Sequence, residues 1–281
     1  MFMRLTVLIR NERKAAMPVI KGLEWAFDTV ASTYEKFRPG YPDDLYKMLF
    51  EYIAIDESSY VVEVGIGGGQ AALPILKTGC SLTAVEYGEN FSRLCEKKFE
   101  EYDNFSVITE RFENVSLPDS QYDLVYSASA FHWVPEDIGY SKVYTMLKPG
   151  GAFARFANHP YRDKDNPVLS AEIDKLYSKY YCAFYGKEVK AGMEYSEEQA
   201  VYRAQIAEKY GFVDIRHRMF YRTRTFSAKE YVELLGTYSD HIAIEEKIRT
   251  EFFAKIEETI DHYGGTFTIY DTIDLQLARK P

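Results

Sequence analysis

The sequence predicts an α/β fold in which helices cover both faces of a mostly parallel sheet of seven strands. Three observations support this prediction: β-branched segments alternate with helical patterns, glycine-rich turns join several of them, and a last strand pattern follows a Gly-Gly turn. The 281 residues are 46% hydrophobic, which is ample for one large domain with a substantial core. We expect the last strand to run antiparallel to its neighbours.

Residues 1–24 are predicted to be an N-terminal extension that contributes little to function. Their short apolar run is interrupted by Arg4 and followed by further basic residues, so neither a secretory signal nor a membrane span is expected. Residues 1–16 precede every recognisable pattern and are the part least expected to matter. The main domain is expected over residues 25–281, with a polar, tyrosine-rich helical insertion at about 160–210.

Composition narrows the classes of function and partner. A net charge of −9 and the lack of a Lys/Arg-rich block argue against nucleic acid as the main partner. Three scattered cysteines are too few for a disulfide framework or a zinc ligand set, so we expect no metal and a reduced, cytoplasmic setting. The sequence gives no indication of the oligomeric state.

The stretch YVVEVGIGGGQ, residues 60–70, is the central feature of the chain. A β-branched strand is followed by a glycine-rich turn and by a helix expected from Ala71 to Lys77. Gly65, Gly67 and Gly69 allow positive φ and close backbone approach to a ligand, while the helix N-terminus favours polar or anionic groups. The alternative is purely structural, because a packed βα turn also needs glycine.

A second strand, Ser81 to Val85, is closed by Glu86. A carboxylate roughly 20 positions after a glycine-rich turn is suited to accept hydrogen bonds from two ribose hydroxyls. Two cofactor classes meet this requirement. A dinucleotide fingerprint needs a third small residue, where this chain has Gln70, while Glu63 to Gly69 reads ExGxGxG and resembles motif I of the class I S-adenosylmethionine-dependent methyltransferases.

The segment before this motif extends the resemblance. FDxxAxxYxxxRPxYP, over residues 27–42, is similar to the segment preceding motif I in a group that includes the trans-aconitate-type enzymes. The resemblance runs from about residue 25 to 279 and implies a Rossmann-like fold. It implies that Tyr34 and Arg38 close over the methionine end of the cofactor, Arg38 pairing with its carboxylate.

Further cofactor contacts follow from the same resemblance. Glu63 would orient the glycine turn and lie toward the methionine ammonium, and Glu86 with the adjacent Tyr87 would hold the ribose side. The loop after the third strand commonly places an acidic residue and then a small one against adenine. Here those positions are Arg111 and Phe112, so a backbone amide and a ring face are the expected contacts.

The end of the fourth strand, Tyr122 to Tyr126, is the expected meeting point of cofactor and acceptor, because ligands bind outside the carboxyl ends of parallel strands. Ser127 is assigned to the cofactor and Trp133 to the acceptor. His132 is a candidate general base and acceptor contact. The alternative is that it only packs beside Trp133, and a carboxylate acceptor needs no base.

The second half of the chain predicts a fifth strand at Ala152 to Ala157, the helical insertion, a strand at Val213 to Thr225 and a closing strand at Thr266 to Ala278. We interpret the insertion as a substrate-determining lid, with a surface excursion as the alternative. Tyr238 and His241 are candidate acceptor contacts, although packing and helix capping would explain the same segment.

The sequence therefore predicts a methyltransferase that uses S-adenosylmethionine on a small-molecule acceptor, with carboxylate or hydroxyl oxygen favoured by family analogy. Three alternatives remain open. The first is a nicotinamide-dependent oxidoreductase. The second is a protein that binds the cofactor without turnover. The third is a methyltransferase acting on an amine, a carbon, a protein or a nucleic acid.

Overall fold

The computed structural model describes residue 28 and residues 31–187 and 193–281, so the expected extension at 1–24 lies outside the described residues. The first elements are α1 (Ala31–Phe37) and α2 (Asp43–Tyr52). Asp43 and Asp44 do not cap α2 with their side chains; they occupy its first turn, after Pro42 at the N-cap. There their negative charges favour the helix dipole instead.

A seven-stranded sheet confirms the predicted fold class. Its strands are β1 (Tyr60–Val64), β2 (Ser81–Glu86), β3 (Phe105–Thr109), β4 (Tyr122–Ala128), β5 (Leu147–Tyr161), β6 (Val213–Ser227) and β7 (Thr266–Arg279). The spatial order is β3-β2-β1-β4-β5-β7-β6, and β7 runs antiparallel to both of its neighbours. Strand β5 is longer than predicted because it stays paired with β7 as far as Tyr161.

The remaining helices lie between the strands. They are α3 (Ala72–Leu76), α4 (Glu89–Lys98), α5 (Glu136–Met146), α6 (Pro167–Leu176), α7 (Glu197–Gln205), α8 (Ala228–Leu235), α9 (Ser239–Ile242) and α10 (Glu246–His262). Short 3₁₀ segments occur at Phe131–Trp133 and Ile206–Tyr210, and a π-helical segment follows α6 at Tyr177–Cys182. The predicted insertion at about 160–210 is helical over most of its described residues.

The core has three parts. Leu49, Ile75 and Phe156 represent the cluster on one face of the sheet, and Val125, Tyr140 and Phe153 represent the cluster on the other. A third cluster, which includes Leu234 and Phe252, joins α6, α8 and α10. Burial of each large apolar side chain contributes about 1.5–3 kcal/mol, so helices are held on both faces.

The sheet topology places the candidate site. Strand β1 pairs in parallel with β2 on one side and with β4 on the other. The chain order reverses between β1 and β4, and loops leaving the carboxyl ends of such strands diverge to form a crevice. Gly65 follows β1 directly, and the 129–133 segment follows β4, so both predicted motifs lie at this crevice.

Candidate functional site

The glycine turn after β1 has one open position and two packed ones. Gly65, Gly67 and Gly69 have φ of +74°, +52° and +72°, which L side chains rarely adopt. A Cβ on Gly65 would lie 2.4 Å from that of Ala130, and one on Gly69 would lie 2.7 Å from the Phe99 ring. At Gly67 the nearest atom would be 3.7 Å away. Close packing explains Gly65 and Gly69, and only Gly67 leaves room beside the turn.

Glu86 is joined to the glycine turn by backbone hydrogen bonds. The amide of Gly67 donates to Oε2 at 2.8 Å and that of Gly88 donates to Oε1 at 2.9 Å. Burial raises the pKa of Glu86, and these two amide bonds oppose the rise. Each carboxylate oxygen accepts more than one hydrogen bond, so the group keeps acceptor capacity for ribose hydroxyls.

Glu63 is fully buried at the end of β1 and holds an unsatisfied oxygen. The Tyr126 hydroxyl donates to Oε2 at 2.7 Å, while Oε1 has no hydrogen-bond partner among the described residues. Burial, with a smaller contribution from the charge of Glu86, raises the pKa of Glu63 to about 8. The expectation that Glu63 orients the glycine turn is wrong, because its carboxyl bonds to β4 and the turn is held through Glu86. Its unpaired oxygen suits a cationic or donor group.

The segment before α2 covers the glycine turn. A Cβ on Gly67 would lie 3.7 Å from Cε1 of Tyr34, so the tyrosine ring borders the open position. The Arg38 guanidinium lies 4.9 Å from the centre of the Tyr34 ring and 4.0 Å from that of Tyr238. Its Nε and Nη2 donate to the hydroxyl and carbonyl oxygens of Thr237 at 3.0 and 3.1 Å. Arg38 thus fastens α1 to the segment after α8.

Two other contacts fasten the same N-terminal segment to α4. The Lys98 ammonium lies 2.8 Å from Glu35 and donates to the carbonyl of Gly68 at 2.8 Å. Asp28 accepts a hydrogen bond from the backbone amide of Phe91 at 3.0 Å, in the first turn of α4. The segment is therefore held over the crevice from both sides, while the closure of Tyr34 and Arg38 over the methionine end of the cofactor stays a prediction.

On the expected adenine side, Arg111 and Tyr87 form a partly exposed pair. The Arg111 guanidinium lies 4.2 Å from the centre of the Tyr87 ring. Phe112 is different, because its ring is buried in the core on the α5 face. The expected ring face against adenine is therefore wrong for Phe112, which leaves its backbone amide for that contact.

Two serines at the end of β4 have different roles. Ser127 is buried, and its hydroxyl donates to the carbonyl of Val64 at 2.7 Å, which ties β4 to β1. Ser129, which sequence reasoning missed, has φ of +57°. Its hydroxyl shares a 2.8 Å hydrogen bond with Tyr41 and accepts one from the Asn158 amide at 3.2 Å. Strained backbone of this kind is frequent at binding sites.

A recess opens beside these serines; it is lined by residues of β4, the following turn, β5, α7 and β7, which include Ser129, Phe131, His132, Arg155, Arg203 and Gln276. His132 is exposed at its mouth, and the Trp133 ring lies 5.1 Å away. Desolvation of the imidazole by the surrounding residues, together with the charges of Arg203 and Arg155, lowers the pKa of His132 to about 4. At neutral pH the imidazole is uncharged and able to accept a proton.

Behind the recess lies a polar group that sequence reasoning missed. Asp274 is fully buried on β7; it accepts hydrogen bonds from Tyr195 at 2.9 Å and from Gln276, and lies 2.9 Å from Nε2 of His159. Burial opposes ionisation, yet the His159 hydrogen bond and the charge of Arg203 lower the pKa of Asp274 to about 2. The signal available in the sequence was the occurrence of Asp271, Asp274 and Gln276 within the strand pattern of β7.

His241 does not reach this recess. It is buried in the third core cluster, where Tyr177 shares a 2.9 Å hydrogen bond with Nε2 and Asp240 lies 2.8 Å from Nδ1. The expectation that His241 contacts the acceptor is therefore wrong, because α9 turns this side chain inward. Tyr238, three residues earlier, instead stacks on Arg38 at the edge of the crevice.

The crevice fits a nucleoside cofactor that carries a cationic group. Gly67 leaves space beside the turn, and Glu86 offers hydrogen-bond acceptors at the end of β2. The unpaired Oε1 of Glu63 lies at the end of the neighbouring strand β1. The described residues contain no cluster of three or more His, Cys, Asp or Glu that could hold a metal. In the same part of the chain no helix is long and apolar enough to cross a bilayer.

Comparisons with known proteins agree with this chemistry. Residues 62–154 match the model of a methyltransferase domain. An uncharacterized methyltransferase of Schizosaccharomyces pombe is 25% identical over 237 residues, which cover 83% of this chain and 86% of that protein. Sterol 24-C-methyltransferase of Saccharomyces cerevisiae is 30% identical over 253 residues, 81% of this chain and 66% of that protein.

Solved structures share the fold. A type II methyltransferase candidate from Anaeromyxobacter dehalogenans has a TM-score of 0.63 at 20% identity, covering 86% of this chain and 98% of that one. Phosphoethanolamine N-methyltransferase 2 of Haemonchus contortus, solved with S-adenosyl-L-methionine, has a TM-score of 0.53 at 16% identity, covering 90% and 57%. The chain is a class I S-adenosylmethionine-dependent methyltransferase with a Rossmann-like fold, and S-adenosylmethionine is its cofactor.

Proposed function

We propose that this enzyme transfers the methyl group to an oxygen atom, carboxylate or hydroxyl, of a small-molecule acceptor, and that it groups with the trans-aconitate methyltransferase-like enzymes. The observation that carries the small-molecule assignment is the covering of the crevice. Arg38 fastens α1 to Thr237 on one side, and α7 brings Arg203 to the recess on the other. A macromolecular acceptor would need an open surface here, whereas a small acceptor needs only the recess.

The residues around the crevice have separate tasks in this proposal. Glu86 would hold the ribose, Gly67 would admit the cofactor, and the Glu63 oxygen would face the methionine ammonium. Tyr34 and Arg38 would close the methionine end, and the insertion at about 160–210 would act as the lid. When bound, S-adenosylmethionine supplies a methyl group activated by a sulfonium, so alignment of the acceptor provides much of the rate.

The acceptor side supports a polar molecule. Sterol 24-C-methyltransferases are named for an apolar acceptor, but the recess of this chain contains two guanidinium groups and an imidazole. A malonyl-[acyl-carrier protein] O-methyltransferase of Ilyobacter polytropus is 25% identical over 126 residues, 43% of this chain, and its name specifies an oxygen acceptor. With a hydroxyl acceptor, neutral His132 would take the proton; a carboxylate acceptor would need no base.

The test is methyl transfer from methyl-labelled S-adenosylmethionine to a panel of small carboxylic acids, phenols, amines and one sterol. Mass spectrometry of the product would identify the methylated atom, with Glu86→Ala as the cofactor-site control. We expect S-adenosylhomocysteine release coupled to methylation of a carboxylic acid or a hydroxyl compound. Transfer only to an amine, a sterol or a macromolecule, or cofactor binding without turnover, would contradict the proposal.

A further inference from the structure

We propose that the recess is an anion-binding subsite in which Arg155 and Arg203 hold a carboxylate or phosphate of the acceptor. In the same subsite, Gln276 accepts a hydrogen bond from a hydroxyl or N–H group beside that anion. This inference rests on the proposed function, because it treats the recess as the acceptor site. It narrows the acceptor to a molecule that carries an anion and a neighbouring donor.

The two arginines come from different elements and point into one recess. Arg155 lies near the end of β5, and Arg203 is carried by α7. In the described part of the chain neither guanidinium forms an ion pair with a carboxylate. Arg155 donates to the Tyr140 hydroxyl and lies 4.9 Å from the Phe131 ring centre, and Nη1 of Arg203 lies 3.4 Å from Nε2 of His159. By contrast, Arg222 and Arg224 pair with the buried Asp271 at 3.2 and 2.5 Å.

The buried carboxylate of Asp274 is already engaged in hydrogen bonds. Asp274 lies behind the recess, and its oxygens are hydrogen-bonded to His159, Tyr195 and Gln276. The positive charge of Arg203 also stabilises the ionised form of Asp274. His132 is uncharged at neutral pH. The described residues that line the recess include two guanidinium groups and no carboxylate, in a protein whose net charge is −9. Such a site favours an anionic ligand.

Gln276 is the residue that would recognise a hydrogen-bond donor beside the anion. The residue is only 5% exposed, and its Nε2 donates to Oδ2 of Asp274. An ionised carboxylate only accepts hydrogen bonds, so this contact fixes the amide with its NH₂ toward Asp274. Oε1 is left as a buried acceptor with no partner among the described residues. Because Gln276 lines the recess, a donor on the ligand would satisfy that oxygen.

The arrangement distinguishes related ligands. A hydroxy acid offers a carboxylate to the arginines and a hydroxyl to Gln276, while the corresponding plain acid offers only the carboxylate. A neutral ester without a hydroxyl group offers neither a negative charge to the arginines nor a hydrogen-bond donor to Gln276. Sites that hydrogen-bond a hydroxyl reject analogues lacking it, because their buried polar group is then left unpaired.

The experiment is isothermal titration of the protein loaded with S-adenosylhomocysteine, using L-malate, succinate, inorganic phosphate and dimethyl succinate at millimolar concentration. We expect malate to bind more tightly than succinate, and dimethyl succinate not to bind. Phosphate that binds more tightly than succinate would identify a phosphate ester as the acceptor, whereas weaker phosphate binding would identify a carboxylate. Arg155→Gln and Arg203→Gln should each weaken malate binding about tenfold or more.

Matched variants separate recognition from folding. Arg218→Gln removes an exposed arginine on β6 and should bind malate as the parent enzyme does. Arg155→Lys keeps the charge and should retain part of the affinity. Gln276→Leu should abolish the preference for malate over succinate while leaving succinate binding unchanged. Unfolding temperature and S-adenosylhomocysteine affinity, measured for each variant, verify that the fold and the cofactor site are intact.

The inference would be overturned if none of the anions saturated the loaded enzyme, or if they bound equally to the arginine variants with intact folds. Its failure is separable from that of the proposed function. Methyl transfer to a neutral small molecule, with no anion binding, would contradict the anion-binding subsite and leave the small-molecule assignment standing. Anion binding as expected, with no small molecule methylated, would support the subsite and contradict the proposed function.

Discussion

The backbone amide of Gly67 donates to Oε2 of Glu86 at 2.8 Å, which joins the glycine turn and the end of β2 into one unit. The same carboxylate receives the amide of Gly88 at 2.9 Å. The end of β2 therefore holds Gly67, where an added Cβ would make only ordinary contacts, the nearest at 3.7 Å. A change at either residue is expected to act on the cofactor site as a whole.

Gly65, Gly67 and Gly150 should respond differently to alanine. Gly65→Ala should lower the free energy of unfolding by about 1–3 kcal/mol or more, because its Cβ would meet Ala130 at 2.4 Å. Gly67→Ala has no such clash, so it should cost only the backbone penalty of its φ of +52° and should also weaken binding of S-adenosylhomocysteine. Gly150→Ala, with φ of +81° and nothing within 4 Å, measures the backbone cost alone, about 1–2 kcal/mol. Denaturant unfolding and titration of each variant check this order, and equal stability loss in all three would contradict it.

Arg38 is predicted to hold the N-terminal segment in place through its shape as well as its charge. Arg38→Lys keeps the charge but loses the forked contact with Thr237 and the stacking on Tyr238. We expect S-adenosylhomocysteine to bind about tenfold more weakly, with little change in stability. Lys36→Met, two residues away and largely exposed, is the matched control. Equal affinities of the lysine variant and the parent would show that Arg38 does not close the site.

Cofactor binding is predicted to release a proton from Glu63. With a pKa of about 8, this carboxyl is mostly protonated at pH 7, and an approaching ammonium group favours its ionised form. The affinity for S-adenosylhomocysteine should therefore rise with pH up to about 8. Calorimetry in two buffers of different ionisation enthalpy measures the released proton. Glu63→Gln should abolish the release. If that variant released the same number of protons as the parent enzyme, Glu63 would not be the group that loses the proton.

His132 is predicted to matter only for acceptors that lose a proton. His132→Gln should slow methyl transfer to a hydroxyl acceptor about 100-fold and transfer to a carboxylate less than tenfold. Because the pKa of His132 is lowered to about 4, the rate for a hydroxyl acceptor should fall toward pH 4, well below the usual range of histidine. Rate profiles against pH for both acceptor types test this. Equal losses for both would instead indicate a packing role.

The sequence predicted the features that depend on local pattern. The strand, glycine turn and helix after Tyr60 form as expected, and Glu86 closes β2 at the predicted spacing. Turn conformation and strand alternation are local properties, so one chain suffices to predict them. The antiparallel placement of β7 was also expected, as the completion of the seven-stranded sheet.

Features that depend on tertiary packing could not be predicted in the same way. The crowding of Gly65 by Ala130 joins two loops far apart in sequence, and the burial of Phe112 depends on α5. Arg155, Arg203 and Gln276 meet only because β5, α7 and β7 come together. The inward turn of His241 likewise depends on contacts with Tyr177 from the insertion. Periodicity records which residues share a face, but it does not record which faces meet.

The most direct test of the account is isothermal titration of S-adenosylhomocysteine into the parent enzyme, Glu86→Ala and Glu86→Gln. Loss of the carboxylate would leave the ribose hydroxyls and the amides of Gly67 and Gly88 unpaired, so the alanine variant should bind about 10- to 100-fold more weakly. The glutamine variant keeps one acceptor oxygen and should lie between the two. Equal affinities in all three proteins would contradict the cofactor site described here.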